Sequence, residues 1–154
     1  MSASDARRVT DLQVACEPLG IRSVGDNASM ISTQTVLIAE IGETHIGFCV
    51  SFPGLQEPDP LFIQVIGVVP QAQRRGVAAA LLHAAADREP LRDIALATQD
   101  NNVAARTLNE RFAHSIGARI HRINLGTYRD QDLGIVRGMG YRAWIIRRER
   151  LTKS

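Results

Sequence analysis

Hydrophobic and polar positions alternate most clearly from residue 35 onward, where the pattern predicts a β-hairpin. Thr35 to Ile41 is rich in β-branched residues, and Thr44 to Phe52 alternates as an antiparallel partner would. Gly42-Glu43 between them is a two-residue turn signal. The first 34 residues are much less regular, and the pattern there favours only a helix over Asp5 to Glu17.

A buried strand is predicted after the hairpin. A loop rich in proline, glycine and acidic residues runs from Pro53 to Pro60, and Phe62 to Val69 is then an almost unbroken hydrophobic run. Such a run is typical of a central strand whose two faces are both covered. Pro70 ends the strand because proline cannot donate a hydrogen bond to a sheet ladder.

Two amphipathic helices with a short strand between them come next. Val77 to Arg88 places small and hydrophobic residues on one side at about 100° per residue. Asp93 to Thr98 is the short strand, and Asn102 to Ile116 has the clearest hydrophobic stripe in the chain. Gly117 is suited to the left-handed conformation that often ends a helix.

Two further strands complete the order of elements. Ala118 to Asn124 and Tyr141 to Arg148 alternate, with a glycine-rich connection between them. The whole pattern predicts an α/β fold, with a single mixed, mostly antiparallel central sheet flanked by helices. A chain of 154 residues fits one domain, and no linker or repeat divides residues 1–154.

The composition excludes several classes of protein. With 45% hydrophobic and 22% charged residues it is that of an ordinary globular protein, and a net charge of +2 is too small to favour nucleic acid or a membrane as partner. The polar N-terminus lacks the hydrophobic stretch of a signal peptide, and no run approaches the ~20 residues that span a bilayer. We therefore expect a cytoplasmic protein. Cys16 and Cys49 are expected to be buried, inert thiols, and no histidine spacing indicates a metal site.

The segment between the central strand and the first helix carries the clearest candidate chemistry. A helix that starts after a short loop offers unpaired backbone N–H groups and the positive end of its dipole, which together hold a pyrophosphate. Gly76 lets the backbone approach phosphate oxygens, and Ala78 and Ala79 keep bulky side chains away. Arg74 and Arg75 can add charged hydrogen bonds. A structural turn with two solvated arginines explains the same residues about equally well.

These residues resemble a known signature. Gln73-x-x-Gly76-x-Ala78, preceded by Val68-Val69-Pro70 on a strand, is similar to the acetyl-CoA signature of the GNAT family of N-acetyltransferases. The stretch most resembles the ribosomal-protein alanine acetyltransferase branch, and the match covers about residues 35 to 148. The resemblance implies an enzyme that transfers acetyl from acetyl-CoA to a primary amine by direct attack. The amine is left open between a small molecule, an aminoglycoside-like compound and a peptide N-terminus, and a homodimer is left open as the assembly.

The resemblance also implies roles along the central strand and the first helix. The backbone of Ile66, Gly67 and Val68 would hold the thioester and the pantetheine arm, with the Ile66 N–H facing the thioester oxygen. The pyrophosphate would bind the backbone at the start of the helix. The cofactor-binding residues expected there are Gln73, Arg74, Arg75, Gly76, Val77, Ala78 and Ala79.

A second motif opens the second helix. Asn102-x-x-Ala105-x-x-Leu108 resembles the family's second motif, in which the asparagine contacts the cofactor, and Asn109 adjoins it. The resemblance implies that Asn102, Ala105 and Asn109 bind acetyl-CoA. A helix N-cap explains Asn102 equally well.

The family's proton-transfer residues are missing from this chain. Relatives place a tyrosine acid where this chain has Asn109, and the alanine acetyltransferases place a glutamate base where it has Ala97. Glu57 and Asp59 are the candidates to bind or deprotonate an amine, and Tyr128 is the candidate acid. An ordinary solvated loop explains the two carboxylates, and packing explains the tyrosine, without any catalytic role.

Two other functions are weighed against the enzyme. Because the usual acid and base are missing, a catalytically weak acyl-CoA-binding or sensing module stays open. Nucleic-acid binding is disfavoured, because the arginine-rich end at Arg147, Arg148 and Arg150 lacks the aromatic residues that stack on bases.

Overall fold

The computed structural model describes residues 19–26, 34–55, 59–73 and 76–148. Within these residues the chain forms one seven-stranded sheet in the order β1-β2-β3-β4-β5-β7-β6. The strands are β1 Leu19–Asp26, β2 Thr35–Ile41, β3 Thr44–Pro53, β4 Leu61–Val68, β5 Ile94–Gln99, β6 Arg119–Ile123 and β7 Tyr141–Arg147, and the helices are α1 Val77–Arg88 and α2 Val103–Ser115.

The pairing of β4 with β5 differs from that of every other neighbouring pair in the described sheet. Those other pairs are antiparallel, whereas β4 and β5 run parallel. They pair only at their first residues, Leu61 with Ile94 and Phe62 with Ala95. The two strands therefore part in the middle of the sheet and leave a gap between their C-terminal halves.

One face of the sheet carries the main hydrophobic core. There α1 packs against β2, β3 and β4, and α2 packs against α1 and β6. Gly47 lets α1 lie close to the sheet, because a Cβ on it would be 3.0 Å from the Gly67 carbonyl oxygen and 3.2 Å from Val77 Cγ1. The largest fully buried side chains of this core include Phe112, Leu61, Leu81, Leu82, Ile94 and Ile146.

The opposite face, here called the second face, is covered by the connection between β6 and β7. This connection, residues 124–140, contains the short 3-10 helix Asp130–Leu133. It lays Leu133 and Ile135 on a smaller hydrophobic cluster of the sheet. The sheet residues of that cluster are Phe62, Ala95, Ala143 and Ile145.

The predicted fold is confirmed from β2 onward, with element ends shifted by at most one residue. One strand was not predicted from the sequence: Leu19–Asp26 pairs antiparallel with β2. Leu19, Arg22 and Ser23 are exposed in this edge strand, so it buries too little to produce a hydrophobic alternation. The predicted helix over Asp5 to Glu17 lies outside the described residues. Of the helices that are described, neither is long and apolar enough to span a membrane.

Candidate active site

The gap between β4 and β5 forms a channel through the sheet, with a volume of about 290 Å³. Its walls are β4 from Ile63 to Ile66 and β5 from Leu96 to Gln99. On the main-core face it is lined by α2, and on the second face it meets Leu133, Gly134 and Tyr141. The channel therefore joins the two faces of the sheet.

A β-bulge at Gln64 shapes the β4 wall of this channel. Val50 pairs with Val65 but Ser51 pairs with Ile63, so β4 has one extra residue, Gln64, opposite β3. No ladder pair joins β4 to β5 after Phe62 in the described sheet. Backbone groups of β4 that face β5 beyond this point are thus free of the sheet ladder, and Ile66, the residue predicted to face a thioester oxygen, lies in this stretch.

The start of α1 has the local geometry expected of an anion site. Gly76 is the N-cap residue with φ 79°, a left-handed conformation that favours glycine, and Ala80 N–H donates to its carbonyl at 2.9 Å. The N–H groups of the first helical turn have no partner within the helix. A Cβ on Gly76 would meet no atom of the described residues within 4 Å, so the backbone angle, not crowding by the protein, requires glycine.

The loop before α1 is tied to the end of β4. Gln73 Nε2 donates to the Val68 carbonyl oxygen at 3.2 Å, which bridges the loop between strand and helix. Arg74 and Arg75 lie outside the described residues. The Gln73 contact gives that residue of the signature a structural role next to the predicted phosphate site.

The start of α2 supplies the polar residues of the main-core face. Asn102 is the N-cap of α2, and its Oδ1 accepts from the Ala105 N–H at 3.0 Å. The helix-capping role predicted for Asn102 is therefore confirmed. Asn102, Ala105 and Asn109 all line the channel. Asn109 is 7% exposed, so its amide belongs to the interior of the channel wall.

The second-face end of the channel is held by contacts of Gln64. Its Nε2 donates to the Gln131 carbonyl oxygen at 2.6 Å, and its Oε1 accepts from Gln34 Nε2 at 3.1 Å. Gly134 lies so close that a Cβ on it would overlap the carbonyl oxygen of Gln64, and its φ is 66°. The β6–β7 connection is thereby fixed across the bulge.

Asp59 and Tyr128, two of the predicted catalytic residues, lie together in a separate cleft of about 910 Å³, here called the aromatic cleft. The Tyr128 ring meets Phe62 edge-on at 5.2 Å between centroids, and Phe62 meets Phe52 at 5.3 Å. Burial raises the pKa of the Tyr128 phenol, partly offset by Arg147, and the Asp59 carboxylate raises it further. The phenol is therefore protonated at neutral pH. Glu57, the third candidate, lies outside the described residues.

The aromatic cleft and the channel are neighbours with a wall between them. Gln131 and Asp132 line the cleft, whereas Leu133 and Gly134 line the channel. Phe62, which Tyr128 contacts, precedes Ile66 by four residues, or roughly 13 Å along an extended strand. Tyr128 thus lies nearer the beginning of β4 than the predicted thioester position.

Much of the charge in the aromatic cleft is neutralised internally. Arg137 donates from Nε and Nη2 to the Asp130 carboxylate at 2.7 and 3.1 Å. This hydrogen bonding lowers the pKa of Asp130. The pair is exposed and therefore contributes little to stability.

The sequence model of the acetyltransferase (GNAT) family matches residues 9–114. The chain belongs to this family. No curated protein is similar enough in sequence to match it. This membership confirms the predicted enzyme class and donor: the protein is an acetyl-CoA-dependent acetyltransferase.

Solved structures of acetyltransferases share the fold. Diaminobutyrate acetyltransferase from Paenibacillus lautus, bound to its substrate L-2,4-diaminobutyric acid and coenzyme A, is 15% identical with a TM-score of 0.63, over 84% of this chain and 95% of that one. A Bacillus subtilis acetyltransferase bound to CoA is 15% identical with a TM-score of 0.60, over 87% and 100%. The ribosomal-protein-S18-alanine N-acetyltransferase from Escherichia coli is 17% identical with a TM-score of 0.57, over 84% and 92%.

The channel of the acetyltransferase is also lined by residues that the sequence did not identify as site residues. Gln64 and Tyr141 were predicted only as strand residues, and Gly134 only as part of the glycine-rich connection. Gly134 and Tyr141 belong to the site because the fold brings them to the channel beside Gln64, which is far from them along the chain.

The thiol of Cys49 is unsuited to accept an acetyl group in this acetyltransferase. The residue is fully buried on β3, and burial raises the pKa of its thiol to about 12. Among the described residues, no group of three His, Cys, Asp or Glu side chains is placed to hold a metal ion.

Proposed function

We propose that the acetyltransferase binds acetyl-CoA with its thioester in the channel and its pyrophosphate at the start of α1, and transfers acetyl directly to a primary amine. The observation that carries this proposal is the channel itself. It opens on both faces of the sheet and has free β4 backbone along one wall. Donor and acceptor can therefore meet inside it from opposite sides.

The donor half rests on backbone groups more than on side chains. The dipole and free N–H groups at the start of α1 attract the pyrophosphate, and the left-handed Gly76 sets their direction. The Ile66 N–H is assigned to the thioester oxygen, where it would stabilise the negative charge that develops during attack. Asn102 and Asn109 border the cofactor from α2.

The acceptor half lies on the second face. The amine reaches the thioester beside Gln64, Gly134 and Tyr141, while Asp59 and Tyr128 bind a more distant part of the acceptor. The Paenibacillus lautus enzyme, which holds an amine substrate together with coenzyme A, supports a ternary complex. Cys49 is too buried to carry the acetyl group between two half-reactions.

Transfer without the family's usual acid and base remains chemically feasible. Holding two reactants in place can lower a barrier by roughly 7–11 kcal/mol, against about 3–5 kcal/mol from acid–base assistance of 10²–10⁴-fold. A neutral amine already positioned in the channel therefore needs no side chain to remove its proton before attack.

The second candidate function is an acyl-CoA-binding or sensing module. It is favoured by Asn109, an amide in the channel at the position where relatives place a tyrosine acid. Calorimetric titration with acetyl-CoA, followed by measurement of thiol release over a panel of amines, separates the two. Release with at least one amine supports the enzyme, whereas tight binding without release supports the module.

The acceptor half is tested by neutralising its acids. Glu57→Gln combined with Asp59→Asn should raise the acceptor KM and leave the acetyl-CoA Kd unchanged. A charged hydrogen bond is worth about 1–3 kcal/mol, so the increase should be roughly 5- to 150-fold. Asp87→Asn, on an exposed part of α1, is the matched control. An unchanged acceptor KM would show that the loop from Pro53 to Pro60 does not belong to the acceptor site.

We further propose a cytoplasmic location, because acetyl-CoA must be supplied where the enzyme acts. Light scattering of the purified chain distinguishes the monomer from the homodimer that the sequence left open. Cell fractionation tests the location, and recovery outside the cytoplasmic fraction would contradict it.

A further inference from the structure

Aromatic rings form a continuous apolar wall in the aromatic cleft. Phe52 contacts Phe62, and Phe62 contacts Tyr128, with centroids 5.3 and 5.2 Å apart. Leu55 lies at the rim with 89% of its surface exposed, and Ile135 adds a further hydrophobic residue to the lining. An exposed leucine beside an aromatic wall is surface that an apolar ligand group would remove from water.

Part of the charge on the polar side of the same cleft is already paired within the protein. Arg137 is bound to Asp130 by two hydrogen bonds, so neither is left to require an opposite charge. A cleft of about 910 Å³ has the size of a small-molecule site. Asp59, Arg129 and Asp132 also line the cleft, so a polar part of the acceptor can lie beside Asp59 while the aromatic wall fits an apolar group about as large as an aromatic ring.

The position of the cleft limits where that group lies in the acceptor. Tyr128 and Phe62 mark the beginning of β4, and Ile66, four residues later, marks the thioester position. With about 3.3 Å per residue, and less across the bulge at Gln64, the two places are separated by roughly 10–13 Å.

We propose that the acceptor carries an apolar, ring-sized group on the order of 10 Å from the amine that is acetylated, and that the aromatic cleft binds this group. The proposal rests on the proposed N-acetyl transfer in the channel and names the acceptor chemistry for it. Polyhydroxylated amines of the aminoglycoside kind lack such a group and are poor acceptors on this account.

The first test compares amines that differ only in the ring and its spacing. Thiol release is measured with 6-phenylhexylamine, hexylamine and benzylamine as acceptors. The value of kcat/KM for 6-phenylhexylamine should exceed those for the other two at least tenfold, because only this amine places a ring far from the nitrogen. Equal values for the three amines would overturn the proposal.

Variants locate the preference in the cleft. Leu55→Asp should lower kcat/KM for 6-phenylhexylamine at least threefold and Phe52→Ala at least tenfold, with hexylamine changed less than twofold by either. Leu91→Asp is the matched control, because Leu91 is a leucine 76% exposed that lines neither cleft nor channel. If Phe52→Ala does not fold, the Leu55→Asp variant alone tests the assignment, because the exposed Leu55 side chain contributes nothing to packing. Equal losses with both amines would overturn the assignment of the cleft.

Peptide acceptors show whether the natural acceptor is a free arylalkyl amine or a peptide N-terminus. Tetrapeptide amides with phenylalanine or serine at the fourth position place the side chain at a similar distance of roughly 10 Å. The ratio of kcat/KM for the phenylalanine peptide to that for the serine peptide is compared with the ratio for 6-phenylhexylamine to hexylamine. A larger peptide ratio identifies a peptide acceptor, and a smaller one identifies a small molecule. Turnover of amines without any ring preference refutes the inference alone, whereas no turnover of any amine refutes the proposed function as well.

Discussion

Replacement of Gly134 by alanine should disturb the acceptor side of the channel while leaving the donor side intact. The added Cβ would overlap the carbonyl oxygen of Gln64, a backbone atom of β4 that no side-chain rotation can move away. The β6–β7 connection must then shift off the bulge, and its hydrogen bond from Gln64 to Gln131 should lengthen or break.

The size of the effect follows from a comparison with Gly117. Gly117 has φ 68° and Gly134 has φ 66°, so alanine at either position adopts the left-handed conformation, at about 1–2 kcal/mol. A Cβ on Gly117 meets nothing within 4 Å, whereas one on Gly134 must displace β4 backbone. Forcing extra atoms into a packed site adds typically about 1–3 kcal/mol, which is the expected difference in unfolding free energy between the two variants.

Urea unfolding measures that difference, and steady-state kinetics measure its consequence. Gly134→Ala should raise the acceptor KM or lower kcat at least fivefold without changing the Kd of acetyl-CoA. Gly117→Ala should leave both kinetic constants within twofold of wild type. If the two variants have the same stability and the same kinetics, the contact between Gly134 and Gln64 has no part in forming the acceptor side.

Three further predictions concern the donor half and the cysteine. Gly76→Val should abolish calorimetric binding of acetyl-CoA while Gly117→Val, at a similar φ, retains it; micromolar affinity in the Gly76 variant would place the phosphate site elsewhere. Asn109→Ala should change kcat less than tenfold, because an amide donates no proton at neutral pH, and a thousandfold loss would reveal a direct role. Maleimide labelling followed by peptide mass analysis should leave Cys49 unmodified until urea unfolds the chain, because the thiol is buried with a pKa raised to about 12. Rapid labelling of the native protein would contradict that burial.

Sequence patterns predicted those parts of the fold that depend on local burial. The hydrophobic run of β4 and the stripe of α2 are properties of single segments, and both elements lie where the pattern put them. The start of α1 at Val77 was likewise predictable, because it depends on a few consecutive residues around Gly76, whereas phosphate binding there stays a prediction. By contrast, β1 depends on pairing with β2 and leaves little trace in its own sequence.

The channel and its second-face end were not predictable in the same way. The channel exists because β4 and β5 stop pairing after Phe62 and Ala95, which depends on the two strands together. Gly134 acts through its approach to Gln64, which lies 70 residues earlier in the chain. Asp59 and Tyr128 were proposed from separate loops, and the fold brings them into one cleft, yet at the beginning of β4, not beside Ile66.

Two-substrate kinetics test the central claim of direct transfer in the channel most directly. Initial rates of thiol release are measured over a grid of acetyl-CoA and amine concentrations, with intact-mass analysis of the enzyme after incubation with acetyl-CoA alone. Direct attack predicts intersecting double-reciprocal lines and an enzyme of unchanged mass, because acetyl moves only when both substrates are bound. Parallel lines together with an acetylated enzyme would contradict the account.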